Sequence, residues 1–204
     1  MTTRSARTRS AIGVTAAAVV LAGCGGGVEP VPVPVSTSRS STTSTTPPPA
    51  PVKYAAAGLK SCPEIQQRLQ VALPPLLPDT DQQGFGSASK VCTFRSDESV
   101  VVLSIQYWET TKDITGVHPG AQRAEQDFVG RGSARDKDSS VDLGSDARWR
   151  DNDTTGCTLE ILDDNAVLIA HSGSRTSLAD GRNEQCRGPV RELARQFYAA
   201  VQPR

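Results

Sequence analysis

Few residues in this chain could do chemistry. His171 stands next to Ser172 and three residues from Ser174, and an imidazole base beside a hydroxyl nucleophile is what a hydrolase would need. Sequence neighbours rarely align for proton transfer, however, and no Gly-x-Ser-x-Gly turn occurs. No catalytic residue is therefore assigned, and an envelope hydrolase using His171 with a nearby Ser is kept as the alternative. His118, the other histidine, precedes Pro119 where a helix should start and a polar cap is expected. The run Asp151-Asn152-Asp153-Thr154-Thr155-Gly156 matches the first half of a calcium loop, but position 12, which requires a bidentate Glu, is Leu162. It reads as a polar turn, and no metal is expected. The pairs Asp136/Asp138 and Asp163/Asp164 are expected in polar loops, without apolar surroundings to raise a carboxyl pKa for general-acid work. Gly84-Phe85-Gly86 lacks the third glycine of a dinucleotide site. No cofactor is expected. Two features point to binding instead. Trp108 and Trp149 fall at strand ends and could form a recognition patch, and the polar loops 131–146 and 172–185 could frame a groove.

Five cysteines complete the reactive set. Cys62, Cys92, Cys157 and Cys186 lie in the second part of the chain, none closer than 29 residues to the next, so Cys-x-x-Cys metal spacing is absent. An even number in an oxidising compartment reads as two disulfides, with three possible pairings. Cys62–Cys92 and Cys157–Cys186 are expected, because each closes a local segment and gives each half its own staple.

The elements that must position these residues can be read from patterning. Ser61 with Glu64, and Pro63 in the first turn, opens a helix. Ile65, Leu69 and Leu73 carry it forward until Pro74-Pro75. Residues 91–95 and 100–108 read as strands, with Val101, Leu103, Ile105 and Tyr107 sharing one face. A helix is expected over 119–129. A short strand follows at 147–150, then a hairpin of 157–162 and 166–171 around Asp163-Asp164-Asn165. A last helix should open at Gly188-Pro189, with Val190, Leu193, Ala194, Phe197 and Val201 as its apolar stripe. The sum is an α+β domain: an antiparallel sheet with helices packed on one face, stapled by two disulfides and preceded by a disordered stalk.

The first part of the chain is of a different kind. Arg4, Arg7 and Arg9 precede an apolar run from Ala11 to Ala22 that ends in Leu21-Ala22-Gly23-Cys24. This is the layout of an export signal, and it falls short of the roughly 20 apolar residues a spanning helix needs. The quartet, with the cut falling before its Cys, resembles the lipobox of bacterial lipoproteins. The resemblance implies that the Cys24 thiol is acylated and becomes the first residue of the mature chain. From there to about Ala57 the sequence is rich in Pro, Ser and Thr, cannot bury enough apolar area to order itself, and reads as a stalk. Three segments follow: 1–23 signal, 24–57 lipidated Cys and linker, 58–204 folded domain. The whole chain has 22 basic and 22 acidic residues, and loss of Arg4, Arg7 and Arg9 leaves a formal charge of −3. A slightly acidic chain has no electrostatic reason to bind nucleic acid. Membrane contact must come from the acyl chains, since two such chains hold stably where one does not.

Together the lipobox, the stalk, the Ser61-Cys62-Pro63-Glu64 helix start and a hydrophobic strand after the second Cys of the domain resemble small secreted actinobacterial lipoproteins with a domain of unknown function. Val141-Asp142-Leu143-Gly144 before the Gly156-Cys157 strand and the Cys186-Arg187-Gly188-Pro189 helix fit the same pattern. The resemblance implies a secreted, disulfide-stapled α+β domain and carries no catalytic residues with it. The expected function is a cell-envelope lipoprotein, lipid-anchored on the extracytoplasmic face of the cell membrane, that binds or senses an envelope protein or ligand.

Overall fold

The computed structural model describes residues 52–84, 86–131, 136–150, 155–176 and 181–203. The signal segment, Cys24, the stalk up to residue 51 and residues 151–154 of the calcium-like loop lie outside the described residues.

Among the described residues, seven strands form one antiparallel sheet, and β3 (Ser99–Trp108) and β9 (Ala166–Ser174) pair at its centre. On one side of that seam lie β2 (Ser87–Arg95) and β1 (Thr80–Gly84). On the other lie β8 (Gly156–Asp163), β7 (Asp146–Trp149) and β6 (Asp136–Lys137). A separate two-stranded ribbon, β4 (Thr111–Asp113) with β5 (Gly116–His118), interrupts the chain after β3. Both meanders are local in sequence and only the seam joins them. It places Ser99 opposite Ser174 and Tyr107 opposite Ala166.

Period-2 alternation puts Val101, Leu103, Ile105 and Tyr107 of β3 on one face with Leu159 and Ile161 of β8 and Leu168 and Ala170 of β9, all buried. Two helices cover that face. The first, α1 (Cys62–Gln66), starts as expected, since the Ser61 side chain accepts from the Glu64 N–H while the Glu64 carboxylate accepts from the Ser61 N–H. It ends well before Pro74, however. The Gln70 N–H donates to Gln196 Oε1 at 2.7 Å, a tertiary bond that replaces the helical one. Leu69, Val71 and Leu73 still pack against the core from outside the helix.

The second helix, α3 (Glu184–Val201), lies along β8 and β9 and starts before the expected Gly188-Pro189. Asn183 is its cap, its side chain accepting the Gln185 N–H and its carbonyl accepting from Cys186 and Arg187. Pro189 therefore sits inside the helix and forgoes one of its hydrogen bonds. The remaining helix, α2 (Gly120–Gly130), packs on the opposite face through Ala124 and Phe128, against Trp108 and Val167. The antiparallel α+β sheet with two disulfides is as expected, but the helices, expected on one face, divide between two, α1 and α3 on one and α2 on the other, because β3 and β9 also present Trp108 and Val167 on the second face.

Cys62–Cys92 and Cys157–Cys186 are the disulfides, with Cα separations of 5.4 and 5.9 Å. The domain begins earlier than residue 58. Tyr54, expected within the stalk, is 1% exposed and belongs to the main core. The carboxylates also depart from expectation. Asp138 and Asp163 are buried rather than held in polar loops, because each has several donors around it.

Candidate functional site

β3, β9 and α3 all run the length of the domain, so they define two ends. At one end β3 finishes at Trp108, β9 starts at Ala166 and α3 finishes at Val201. The preceding chain joins the domain there, through a set of buried polar contacts. Asn165, fully buried in the β8–β9 turn, accepts the Tyr54 N–H at 2.8 Å and donates to the carbonyls of Tyr54 and Trp108, each at 2.8 Å. The preceding residue, Asp164, takes the left-handed conformation (φ 51°) that closes this tight turn. Tyr54 Oη donates to Asp163 Oδ2 at 2.5 Å and accepts from Gln202 Nε2 at 2.8 Å. Lys53 Nζ lies 2.6 Å from the same carboxylate oxygen.

Burial and the neighbouring Asp163 push the Tyr54 phenol well above its ordinary range. Burial alone would raise Asp163, but the hydrogen bonds from Lys53 and Tyr54 outweigh it and hold the carboxyl below its ordinary value. The phenol stays a donor and the carboxylate an acceptor, so this assembly is a clasp rather than an acid–base pair.

A second polar assembly fixes α3 to β7. Trp149, 1% exposed, donates from Nε1 to Asp138 at 2.6 Å. Its ring has the guanidinium groups of Arg187 and Arg191 at 4.9 and 5.4 Å from its centre. Asp138 also accepts from Ser140 and from Arg191 Nε, and these bonds overcome burial and hold its carboxyl at about 2. Trp149 is therefore a core residue. Trp108 lies in the separate cluster under α2, so the two tryptophans form no shared exposed patch.

The other end carries the cleft. A cavity of about 520 Å³ opens where β3 and β8 begin, β9 ends and α3 starts. Its walls are small and polar: Ser99, Ser172, Ser174 and Thr176 contribute hydroxyls, and Gln185 an amide. Glu98 stands at its margin, and Cys186 and Pro189 form the apolar side. Gly156 and Gly173 pair across β8 and β9 and contribute backbone alone to the cavity lining. A Cβ at Gly156 would collide with the Ser172 carbonyl, which explains the glycine by close approach of two strands. The Cys157–Cys186 disulfide ties the first turn of α3 to β8 beside this cavity. Pockets of a few hundred cubic ångströms with convergent polar groups are the usual form of small-ligand sites. This one offers hydrogen bonds and close backbone approach rather than ionisable catalytic groups.

The structure separates the expected hydrolase partners. Ser172 and Ser174 line the cleft, whereas His171 alternates to the other face, where its Nδ1 lies 2.9 Å from Thr158 Oγ1. Thr158 is 2% exposed, out of reach of a substrate. His118, expected as a cap to α2, instead pairs with Asp113 at 3.1 Å in the β4–β5 ribbon, and the first N–H of α2 donates to Thr110 Oγ1. No cluster of three metal-ligating side chains occurs among the described residues. Of the two stretches expected to frame a groove, 172–185 does line it, though Ser172 and Ser174 belong to the end of β9 and Gln185 to α3, whereas no described residue of 131–146 lines it. The contribution of Ser99, Gly156 and α3's first turn went unseen, because small residues at strand ends carry no periodic signal. In comparisons with known proteins, no family model, no curated protein and no solved structure matches this chain.

Proposed function

We propose that the chain is a lipid-anchored envelope protein, acylated at Cys24 on the extracytoplasmic face, whose folded domain binds a small polar ligand or a short polar segment of an envelope partner. The observation that carries the binding part is the placement of the cleft. It lies at the opposite end of β3 and β9 from Tyr54, where the tethered chain joins the domain. Nine paired residues separate the two, on the order of 30 Å of strand. A tether fixed at one end leaves the other end free to meet a ligand. The anchor rests on the lipobox and the stalk composition, and the resemblance to small actinobacterial lipoproteins agrees with both. A sheet edge of polar residues and a net negative mature charge give no support to nucleic-acid binding.

The experiment combines anchoring and binding. Mass analysis of the mature N-terminus should find an acylated Cys24 and its loss in Cys24→Ala. The purified chain is then titrated calorimetrically with soluble peptide and glycan fragments of the cell wall. Binding that survives in the wild type and is lost in Ser172→Arg, which fills the cleft, supports the reading. Binding unaffected by Ser172→Arg removes the cleft as the site.

A further inference from the structure

The β4–β5 ribbon is separate from the main sheet. Its register pairs Thr111 with His118, Lys112 with Val117 and Asp113 with Gly116, leaving Ile114 and Thr115 as the turn. Ile114 at the tip is 104% exposed and Val117 is 46% exposed, while large apolar side chains elsewhere in the domain are mostly buried. The tip is pre-shaped. Asp113 Oδ1 accepts from the Thr115 N–H at 2.7 Å and from its hydroxyl at 2.6 Å, and His118 Nε2 lies 2.9 Å from Thr115 Oγ1. A side chain with no contacts is thus presented on a turn held by three polar neighbours.

The ribbon's base fixes the end of the domain at which Ile114 lies. It leaves the sheet directly after Trp108, whose carbonyl accepts from Asn165, the residue that also holds Tyr54. Its base is fixed there as well, since Gly120 donates to Thr110 Oγ1. The ribbon and the tethered chain therefore share one end of the domain, away from the cleft.

The geometry points to the β4–β5 ribbon as a second, weak membrane contact, with Ile114 entering the lipid surface to which Cys24 is anchored. It rests on the lipid-anchor reading. One isoleucine and one valine bury too little apolar area to hold a free protein on a bilayer. A chain already attached through its acyl groups meets the surface at a high effective concentration, and a small increment then suffices to orient it. Docking the ribbon would turn the cleft outward from the membrane.

The test uses the acylated full chain in vesicles of phosphatidylcholine and phosphatidylglycerol. Ile114→Cys is labelled with an environment-sensitive fluorophore, the four domain cysteines being held in disulfides. Thr176→Cys, at the cleft end, is labelled as the reference. The expected result is a blue shift and quenching by nitroxide lipids at position 114 only, with slowed amide exchange over 111–118 that Ile114→Asp restores to the rate off vesicles. If the chain floats with the vesicles and the label at 114 stays as in water, the ribbon contact is overturned and the anchor stands. Failure to float overturns both. A label shielded in a concentration-dependent way without vesicles assigns the tip to a second copy of the chain and also overturns the proposal.

Discussion

At the Tyr54 end of the domain, distant stretches of chain are locked by buried side-chain to backbone bonds, and Asn165 alone makes three, two to Tyr54 across 111 positions and one to Trp108 across 57. At the Ser99 end the same strands finish in glycines and serines around an open cavity, and a disulfide does the fastening. The first end closes on itself and the second stays open. The difference teaches where substitutions should tell on stability and where on binding. A group that is buried and answered by several partners is destabilising to remove, whereas a hydroxyl facing a cavity can be lost with little effect on folding.

The largest effect is expected from Tyr54→Ala. Emptying an aromatic site in the core should remove about 4 kcal/mol of stability, read from urea unfolding of the domain. A change near zero would show that the chain before residue 58 is not part of the folded unit. Next comes Cys157→Ser with Cys186→Ser. Opening a loop of 29 residues should destabilise by roughly 3–4 kcal/mol. Amide exchange should rise first around Ser174 and Gln185, and protection unchanged there would mean the cleft does not depend on its staple.

A smaller effect concerns acid. Asp138 is held at about 2 against an ordinary 3.8, so its contribution to stability is full above pH 4 and is lost as pH falls toward 2. Asp138→Asn should flatten the acid limb of the unfolding profile by about 2 kcal/mol. An unaltered limb would remove the Asp138–Trp149–Arg191 assembly as the source. The smallest effect belongs to Ser172→Ala, which should shift stability by no more than about 0.5 kcal/mol while weakening ligand binding. A large loss of stability there would erase the contrast between the two ends.

Much of this arrangement was legible before the structure. The alternation of Val101 through Tyr107, the capping pair Ser61 and Glu64 and the spacing of the four domain cysteines each carry a local physical rule, and each holds. The edge strands β1 and β6 were invisible because Thr80 to Gly84 and Asp136 to Lys137 are exposed and have no apolar face to repeat. Asp163 and Tyr54 were misplaced for another reason. Their burial depends on partners about 110 residues distant, and composition around Tyr54 still reads as stalk. The cleft is legible only in fragments, since its walls come from four elements that no single stretch of sequence contains.

The β3–β9 seam has a kinetic consequence. It pairs residues some 67 positions apart, while each disulfide ties one strand to a helix near it in sequence, Cys92 of β2 to α1 and Cys157 of β8 to α3, and neither bridge crosses from one meander to the other. Both halves can therefore form their hairpins and native thiol pairings through short-range encounters. Joining them waits on a long-range closure, which is the slow kind of step in a β-rich chain. Refolding of the oxidised domain should show early protection inside each meander and late protection on the amides shared by β3 and β9.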